Sequence, residues 1–260
     1  MIKRGFLLFA FVIVFGGLHA QKVQLDSIRW INKDLGHLYF QKGRVNFNFV
    51  GSDKFKSHYA IVKDTLIMTD VYTSSADNFR VKHKTNFKFL IRNLTQSRLY
   101  IKAIDSNAVK LAGPGTYEFT NFKNSYDKDV KFSAIRFLSS TCHGDCPQLE
   151  ITISPNGEYH LRGGEYADPY KGEFTAKLSR LQLDTLNYWL KHSELKKMYG
   201  WQQQDQVVDA PNYYFEIDFE NDKKKLSVTT NQPPLNMTDL VQFMLSSYKR
   251  VKLTPVNTGH

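Results

Sequence analysis

Residues 38–49 run Leu38, Tyr39, Phe40, Gln41, Lys42, Gly43, Arg44, Val45, Asn46, Phe47, Asn48, Phe49. Leu38 and Phe40 alternate with Tyr39 and Gln41. Val45, Phe47 and Phe49 alternate with Asn46 and Asn48, a period of two that marks strands with one buried face. A two-residue turn at Lys42 and Gly43 sets Phe40 opposite Val45 and Leu38 opposite Phe47, so that all four share a face. A similar turn at Lys63 and Asp64 pairs Ile61 with Leu66 and Tyr59 with Met68. Phe87, Phe89 and Ile91, then Leu99 and Ile101, continue the alternation. Six to eight such strands form an antiparallel meander, and closing it into a small barrel removes the exposed edges.

Outward from there the pattern breaks. Residues 105–126 contain Gly113, Pro114 and Gly115, and a polar segment follows over 121–129, so the domain boundary is expected between 105 and 130. Residues 116–119 remain available as a closing strand of the first domain. After Lys131 the pattern is mixed. Residues 132–138 read as a strand leading into Cys142, His143, Gly144, Asp145, Cys146 and Pro147. Leu149, Ile151 and Ile153 alternate with polar neighbours, and a three-residue loop of Pro155, Asn156 and Gly157 pairs Ile153 with Tyr159, Ile151 with Leu161 and Glu150 with Arg162. Leu178, Leu181, Leu186, Trp189 and Leu190 fall on one helical face that ends by Ser193. Phe215, Ile217 and Phe219 face Leu226 and Val228 across a turn at 221–224. A last helix carries the stripe Met237, Leu240, Val241, Met244, Leu245 and Tyr248, with Asn236 expected to cap it. The expected fold is β-rich: a barrel over 21–120, then over 121–260 an α+β domain whose antiparallel sheet carries both helices on one face.

Hydrophobic residues make up 42% and charged residues 23% of the 260, which are globular values, and nineteen Phe with fourteen Tyr lean toward strands. Residues 1–20 stand apart. Lys3 and Arg4 precede an uncharged apolar run over 5–18, too short to span a bilayer comfortably and suited to a secretory signal peptide cleaved after Ala20. Leu18 departs from the small residue usual near such a site. This reading exports the chain to the periplasm or beyond the cell, and no later segment is apolar enough to make an integral membrane protein. Beyond residue 20 the chain has 33 basic and 25 acidic residues, and the excess belongs to 21–120, with 16 Lys and Arg against 8 Asp and Glu. An exported protein does not ordinarily meet nucleic acid. The basic half therefore suits an anionic surface or a partner's acidic face, or serves solubility alone.

Cys142 and Cys146 are the only cysteines. In an exported chain a disulfide between them is the first reading, rigidifying a turn between strands. A metal site using Cys142, His143 and Cys146, with Asp145 or His160, is a second; it lacks the second ligand pair that structural zinc uses. A redox pair is a third, with three intervening residues where thiol exchange usually has two. His143, Gly144, Asp145 and Pro147 then form a candidate binding loop. The histidines at 37, 58, 83 and 192 read as surface or strand residues. Glu216, Asp218, Glu220 and Asp222 alternate along one strand with Lys223, Lys224 and Lys225 beside them, which reads as cross-strand pairing. No nucleophile elbow, zinc-protease helix, phosphate loop or calcium loop occurs, so no catalytic residue, metal or cofactor is assigned.

Two resemblances follow from these residues. Cys142, Gly144, Cys146 and Pro147, then Gly157, Asp209 and Pro211, resemble the signature of an uncharacterised domain family of bacterial exported proteins, over about 130–250, with Ser140 where that signature has its first glycine. The resemblance implies no activity. Trp30, Leu38, Phe40, Val45, Phe47, Gly51, Tyr59, Ile61, the run Asp64, Thr65 and Leu66, and Leu94, Thr95 and Leu99 make the first half similar to lipocalin-like small domains, which implies an apolar ligand cavity unless side chains such as Phe47, Phe87 and Phe89 fill it. The leading expectation is a non-catalytic envelope or secreted protein that acts by binding a protein or an envelope component. The alternatives are a carrier of a small apolar ligand and a redox or metal-dependent factor.

Overall fold

The computed structural model describes residues 25–48, 54–203 and 207–256, with the side chains of 54–56 left aside. The apolar leader over 1–20, Phe49 and Gly51 lie outside the described residues.

Eight antiparallel strands close into a barrel in chain order: β1 (Arg29–Ile31), β2 (His37–Gln41), β3 (Arg44–Asn48), β4 (Lys54–Val62), β5 (Thr65–Tyr72), β6 (His83–Leu94), β7 (Arg98–Ala103) and, after helix α1 (Ser106–Ala112), β8 (Thr116–Asn121). The expected registers are present: Phe40 faces Val45, Leu38 faces Phe47, Ile61 faces Leu66 and Tyr59 faces Met68. β8 closes the barrel against β1, Trp30 lying opposite Asn121 and Ile31 opposite Thr120. The interior holds Trp30, Leu38, Phe40, Val45, Phe47, Leu66, Met68, Phe89, Leu99, Ile101 and Phe119, all fully buried. Atoms lining a void of several hundred cubic ångströms would be exposed to it, so these side chains pack against one another.

The stretch from 105 that broke the alternation holds an element the period-two reading passed over. Asp105 caps α1 by accepting from the Ala108 amide at 2.8 Å, and Ala108 and Ala112 join the barrel's apolar cluster. Here the period changed from strand to helix without leaving the domain.

The second half is a seven-stranded antiparallel sheet. In chain order it contains β9 (Phe132–Ser139), β10 (Leu149–Ile153), β11 (Glu158–Gly163), β12 (Gly172–Lys177), helix α2 (Arg180–His192), β13 (Tyr213–Phe219), β14 (Leu226–Thr230), helix α3 (Thr238–Ser247) and β15 (Thr254–Pro255). Its spatial order is β14-β13-β9-β10-β11-β12-β15. The three-residue loop pairs Ile153 with Tyr159, Ile151 with Leu161 and Glu150 with Arg162 as expected, and Gly157 supplies the left-handed residue at φ +83°. One face packs Ile135, Phe137, Ile151, Phe215 and Ile217 beneath Leu186 and Leu190 of α2 and Leu240 and Met244 of α3, in one core. Tyr159 crosses that core to bond Ser247 at 2.8 Å.

Three details depart from expectation. Leu178 precedes α2 rather than lying in it, and Leu181 is 76% exposed. Starting the helix at Arg180, behind a capping box of Ser179 and Gln182, turns Leu181 to the solvent side. Asn236 does not cap α3. Met237 holds the cap position without a side-chain bond, and the Asn236 amide donates instead to the Ser193 carbonyl at 2.6 Å. His192 is neither a surface nor a strand residue; it is buried at the end of α2, its ring against Tyr126 and Tyr188.

The halves touch. Ile31, Leu35 and Phe122 belong to the core of the second sheet, and Arg29 of β1 forms an ion pair with Asp239 of α3. Among the described residues no helix is long and apolar enough to cross a membrane.

Candidate functional site

The cysteine loop lies at one end of the second sheet, between β9 and β10. Cys142 and Cys146 are bonded to each other with their Cα atoms 5.5 Å apart, inside the range a disulfide tolerates. Both sulfurs are thereby taken, which leaves neither as a thiolate ligand and removes the Cys142, His143, Cys146 metal set. Among the described residues no group of three His, Cys, Asp or Glu is placed to hold a metal. His143, Gly144 and Asp145 are exposed. Gly144 does not need its conformational freedom: its φ is not left-handed, and an added Cβ would meet only Cys142 Sγ, at 3.7 Å.

The loop's base is held by Ser139 and Asn212, which carried no sequence signal, together with Ser140 and Asp209, which did. Ser139, buried at the end of β9, donates to the Pro147 carbonyl at 2.6 Å and accepts from the Leu149 amide at 3.2 Å. Ser140 exchanges bonds with Asn212: its amide donates to the Asn212 carbonyl and its hydroxyl accepts from the Asn212 amide, each at 2.9 Å. The His143 amide donates to the Asp209 carbonyl at 3.3 Å, with Asp209 itself left-handed at φ +63°. The cysteine loop and the segment containing Asp209 and Pro211, more than sixty positions apart, are thus adjoining walls of one end of the sheet. Gly157 is not part of it; that residue turns the hairpin at the opposite end of β10 and β11, where its carbonyl accepts from the Leu178 amide.

Beside this loop lies a cleft of about 500 Å³ lined by Gly200, Trp201, Gln202, Gln203, Asn212, Ser227, Thr229, Thr230 and Asn231. Among the described residues, none that lines it is ionisable. One wall is the outer strand β14, and the other is residues 199–203, which run alongside it and are tied to it at both ends by side chains. At one end Tyr199 Oη lies 2.7 Å from the Lys224 carbonyl and 2.8 Å from the Asp222 carboxylate, and its one proton is shared between these two acceptors; burial first, and then the Asp222 carboxylate, push this phenol up to about 12, so it stays a donor at neutral pH. At the other end Gln203 Oε1 accepts from Thr230 Oγ1 at 2.6 Å and from the Asn231 amide at 2.8 Å, while Asn231 Nδ2 donates to the Val207 carbonyl at 2.7 Å. Trp201, half-buried against the core of the second sheet, lines the cleft together with Ser227, Thr229 and Thr230 of β14. Val208, 83% exposed, stands beside it.

The uncovered face of the sheet carries charge that is mostly neutralised. Lys225 bridges Glu216 at 2.9 Å and Asp218 at 3.4 Å, and Arg136 bonds Glu150 at 2.7 Å. The bonds from Lys225, and then from Tyr214, hold the Glu216 carboxyl below its ordinary range. Of the three lysines expected beside the acids, Lys225 does the pairing, whereas Lys224 lies over the Tyr199 ring. His160 faces Thr152 on this side, exposed and away from the cysteine loop.

The fold and this site define a β-barrel joined to an antiparallel α+β domain whose loop end is closed by a short disulfide ring. Residues 133–248 match the family model of a domain of unknown function, DUF6438, which covers the second sheet from β9 to α3 and leaves the barrel outside. This agrees with the reading of the second half as an uncharacterised domain; the lipocalin-like reading of the first half is matched by the barrel alone. No curated protein and no solved structure matches the chain.

Proposed function

We propose that this chain is an exported, non-catalytic binding protein, periplasmic or extracellular, whose second domain holds a neutral, hydroxyl-rich saccharide of the cell envelope beside the cysteine loop. The observation that carries this is the cleft of about 500 Å³ whose described lining residues include none that ionises, in a chain where 23% of residues are charged. A ligand offering hydroxyls and amides, and an apolar face for Trp201, matches that lining. Among the described lining residues a charged ligand would find no counter-charge. The disulfide suits an oxidising compartment and the leader over 1–20 suits export. His143, Asp145 and the loop around them form an exposed rim for the same ligand. Residues 21–120 and 121–260 are two domains docked through Ile31 and Leu35 of the first, and the packed interior of the barrel supports a scaffold rather than a carrier of apolar ligand.

The test is titration of the full chain with neutral chito-, cello- and malto-oligosaccharides, followed by tryptophan fluorescence and calorimetry. One series should shift the emission, and Trp201→Ala, which also removes some packing against the sheet's core, should stay folded and weaken that binding by about tenfold, since an aromatic contact of this kind contributes on the order of 1.5 kcal/mol. Binding equal in Trp201→Ala, or no binding by any neutral series, overturns the saccharide assignment.

A further inference from the structure

The barrel carries a second, unrelated surface. β5 and β6 pair as far as Tyr72 opposite His83, but β4 stops pairing at Thr69 and β7 begins only at Phe89. Among the described residues no strand flanks 70–72 or 83–88, which form a two-stranded ribbon; α1 packs beside its base, where the Asn107 side chain donates to the Asn86 carbonyl at 3.1 Å and the Ile104 amide to the Lys88 carbonyl at 3.0 Å, and residues 73–82 form its largely exposed tip.

The tip is built rather than loose. Ser74 caps a 3₁₀ turn over Ser75–Asp77, the Phe79 amide donates to the Ser74 carbonyl at 2.8 Å, and the Arg80 amide donates to Asp77 at 3.2 Å. Asp77 also pairs with His83, whose ring stacks on Tyr72 at 5.3 Å. This scaffold holds Asn78 and Phe79 left-handed, at φ +54° and +61°. Asn takes that conformation readily, whereas a bulky aromatic there is a strained outlier. Phe79 is nonetheless 65% exposed, and Val81, Tyr72 and Val71 are exposed with it. Alternating with them are Arg80, Lys82 and Lys84, all exposed and none paired with a carboxylate among the described residues.

We propose that this ribbon docks on an anionic lipid surface, with Phe79 and Val81 entering the boundary between headgroups and acyl chains and Arg80, Lys82 and Lys84 meeting the headgroups. Two unfavourable features coincide at Phe79, backbone strain and exposure of a ring to water, and a lipid boundary relieves the second. Of the possible occupants, the basic collar selects an anionic bilayer, which supplies both an apolar layer and a sheet of negative charge. The excess of 16 basic over 8 acidic residues in 21–120 adds attraction of the same sign. Asp70 and Asp77 are the opposing charges on the ribbon, and Asp77 is engaged by His83. The proposal does not rest on the saccharide cleft, which belongs to the other domain.

Co-sedimentation of the full chain with phosphatidylglycerol vesicles and with phosphatidylcholine vesicles tests it. All variants keep the same N-terminus, so any contribution from residues 1–20 cancels. Binding should require the anionic lipid and weaken strongly at about 0.5 M salt, where charges more than several ångströms apart are screened. Phe79→Asn should bind at least tenfold more weakly, with a thermal midpoint equal to or above that of the parent because Asn accepts the left-handed backbone. Lys82→Gln and Lys84→Gln should each lose about fivefold. In Phe79→Trp the added indole emission should move to shorter wavelength on vesicles, and Trp201→Ala should bind vesicles as the parent does. Equal binding of Phe79→Asn and the parent, an unmoved emission, or binding indifferent to lipid charge each overturns the proposal.

Discussion

Double replacement of Cys142 and Cys146 by Ser opens a ring that spans a sequence separation of only 4. Closing so short a loop removes little freedom from the unfolded chain, and the loop-closure relation gives about 2 kcal/mol. The strands on either side do not depend on the ring. β9 and β10 pair from Ser139 opposite Leu149 to Ile135 opposite Ile153, and Ser140 stays bonded to Asn212. Ser139→Ala makes the sharper comparison, because it deletes one hydroxyl that holds both the Pro147 carbonyl and the Leu149 amide at the foot of the loop. Losing these buried bonds costs about 1–3 kcal/mol, so one serine should matter as much as the disulfide. Urea unfolding should show both variants with an unchanged denaturant slope and losses of similar size. Amide exchange should quicken over 142–146 in the double Cys variant and leave Ile151 and Ile153 protected. A loss above about 4 kcal/mol on removing the disulfide, or a changed slope, would refute the view that the ring only stiffens a local turn.

Tyr159→Phe and Ser247→Ala remove the same 2.8 Å bond but not at the same cost. Ser247 Oγ donates to the Met244 carbonyl at 2.7 Å, which leaves Tyr159 as donor to it, so Ser247→Ala strands a buried phenol and should cost about 1–3 kcal/mol against about 1 for Tyr159→Phe; the opposite order in urea melts would reverse the donor assignment. For pH, the carboxyls of Asp127, held down chiefly by its bond from Lys196, and Glu216, held down chiefly by Lys225, lie below their ordinary 3.8 and 4.5. A lowered folded value means stability fully present above those figures and lost as pH falls through the folded values, so urea midpoints should be level from neutral pH down to about 5 and drop below about 4. Midpoints that rise on acidification would contradict the sign.

The three hairpin registers were legible because each depends on local quantities, the two-residue alternation and the number of residues in the turn. Phe40 opposite Val45 and Ile153 opposite Tyr159 follow once one face must be buried. The stripe on α3 was legible for the same reason, since Leu240, Val241 and Met244 recur at helical spacing. α1 carried a signal, Asp105 followed by Ala108 and Ala112, that the surrounding Gly and Pro obscured. At the site, the disulfide could be expected from two cysteines in a chain whose leader reads as an export signal. What no local pattern contains is which distant backbone groups satisfy one another. Ser140 with Asn212, His143 with Asp209, and Tyr199 with Lys224 are joined by one or two hydrogen bonds between segments tens of residues apart, and each residue type is common in loops. The cleft beside β14 and the exposed, left-handed Phe79 arise in the same way, whereas closure by the strand at 116–119 was already open to the sequence. The alternation and turn lengths of the sequence determined which faces are buried and how neighbouring strands pair. Only the tertiary structure decided which loops meet, because buried polar backbone must find partners wherever the packed sheets bring them within reach.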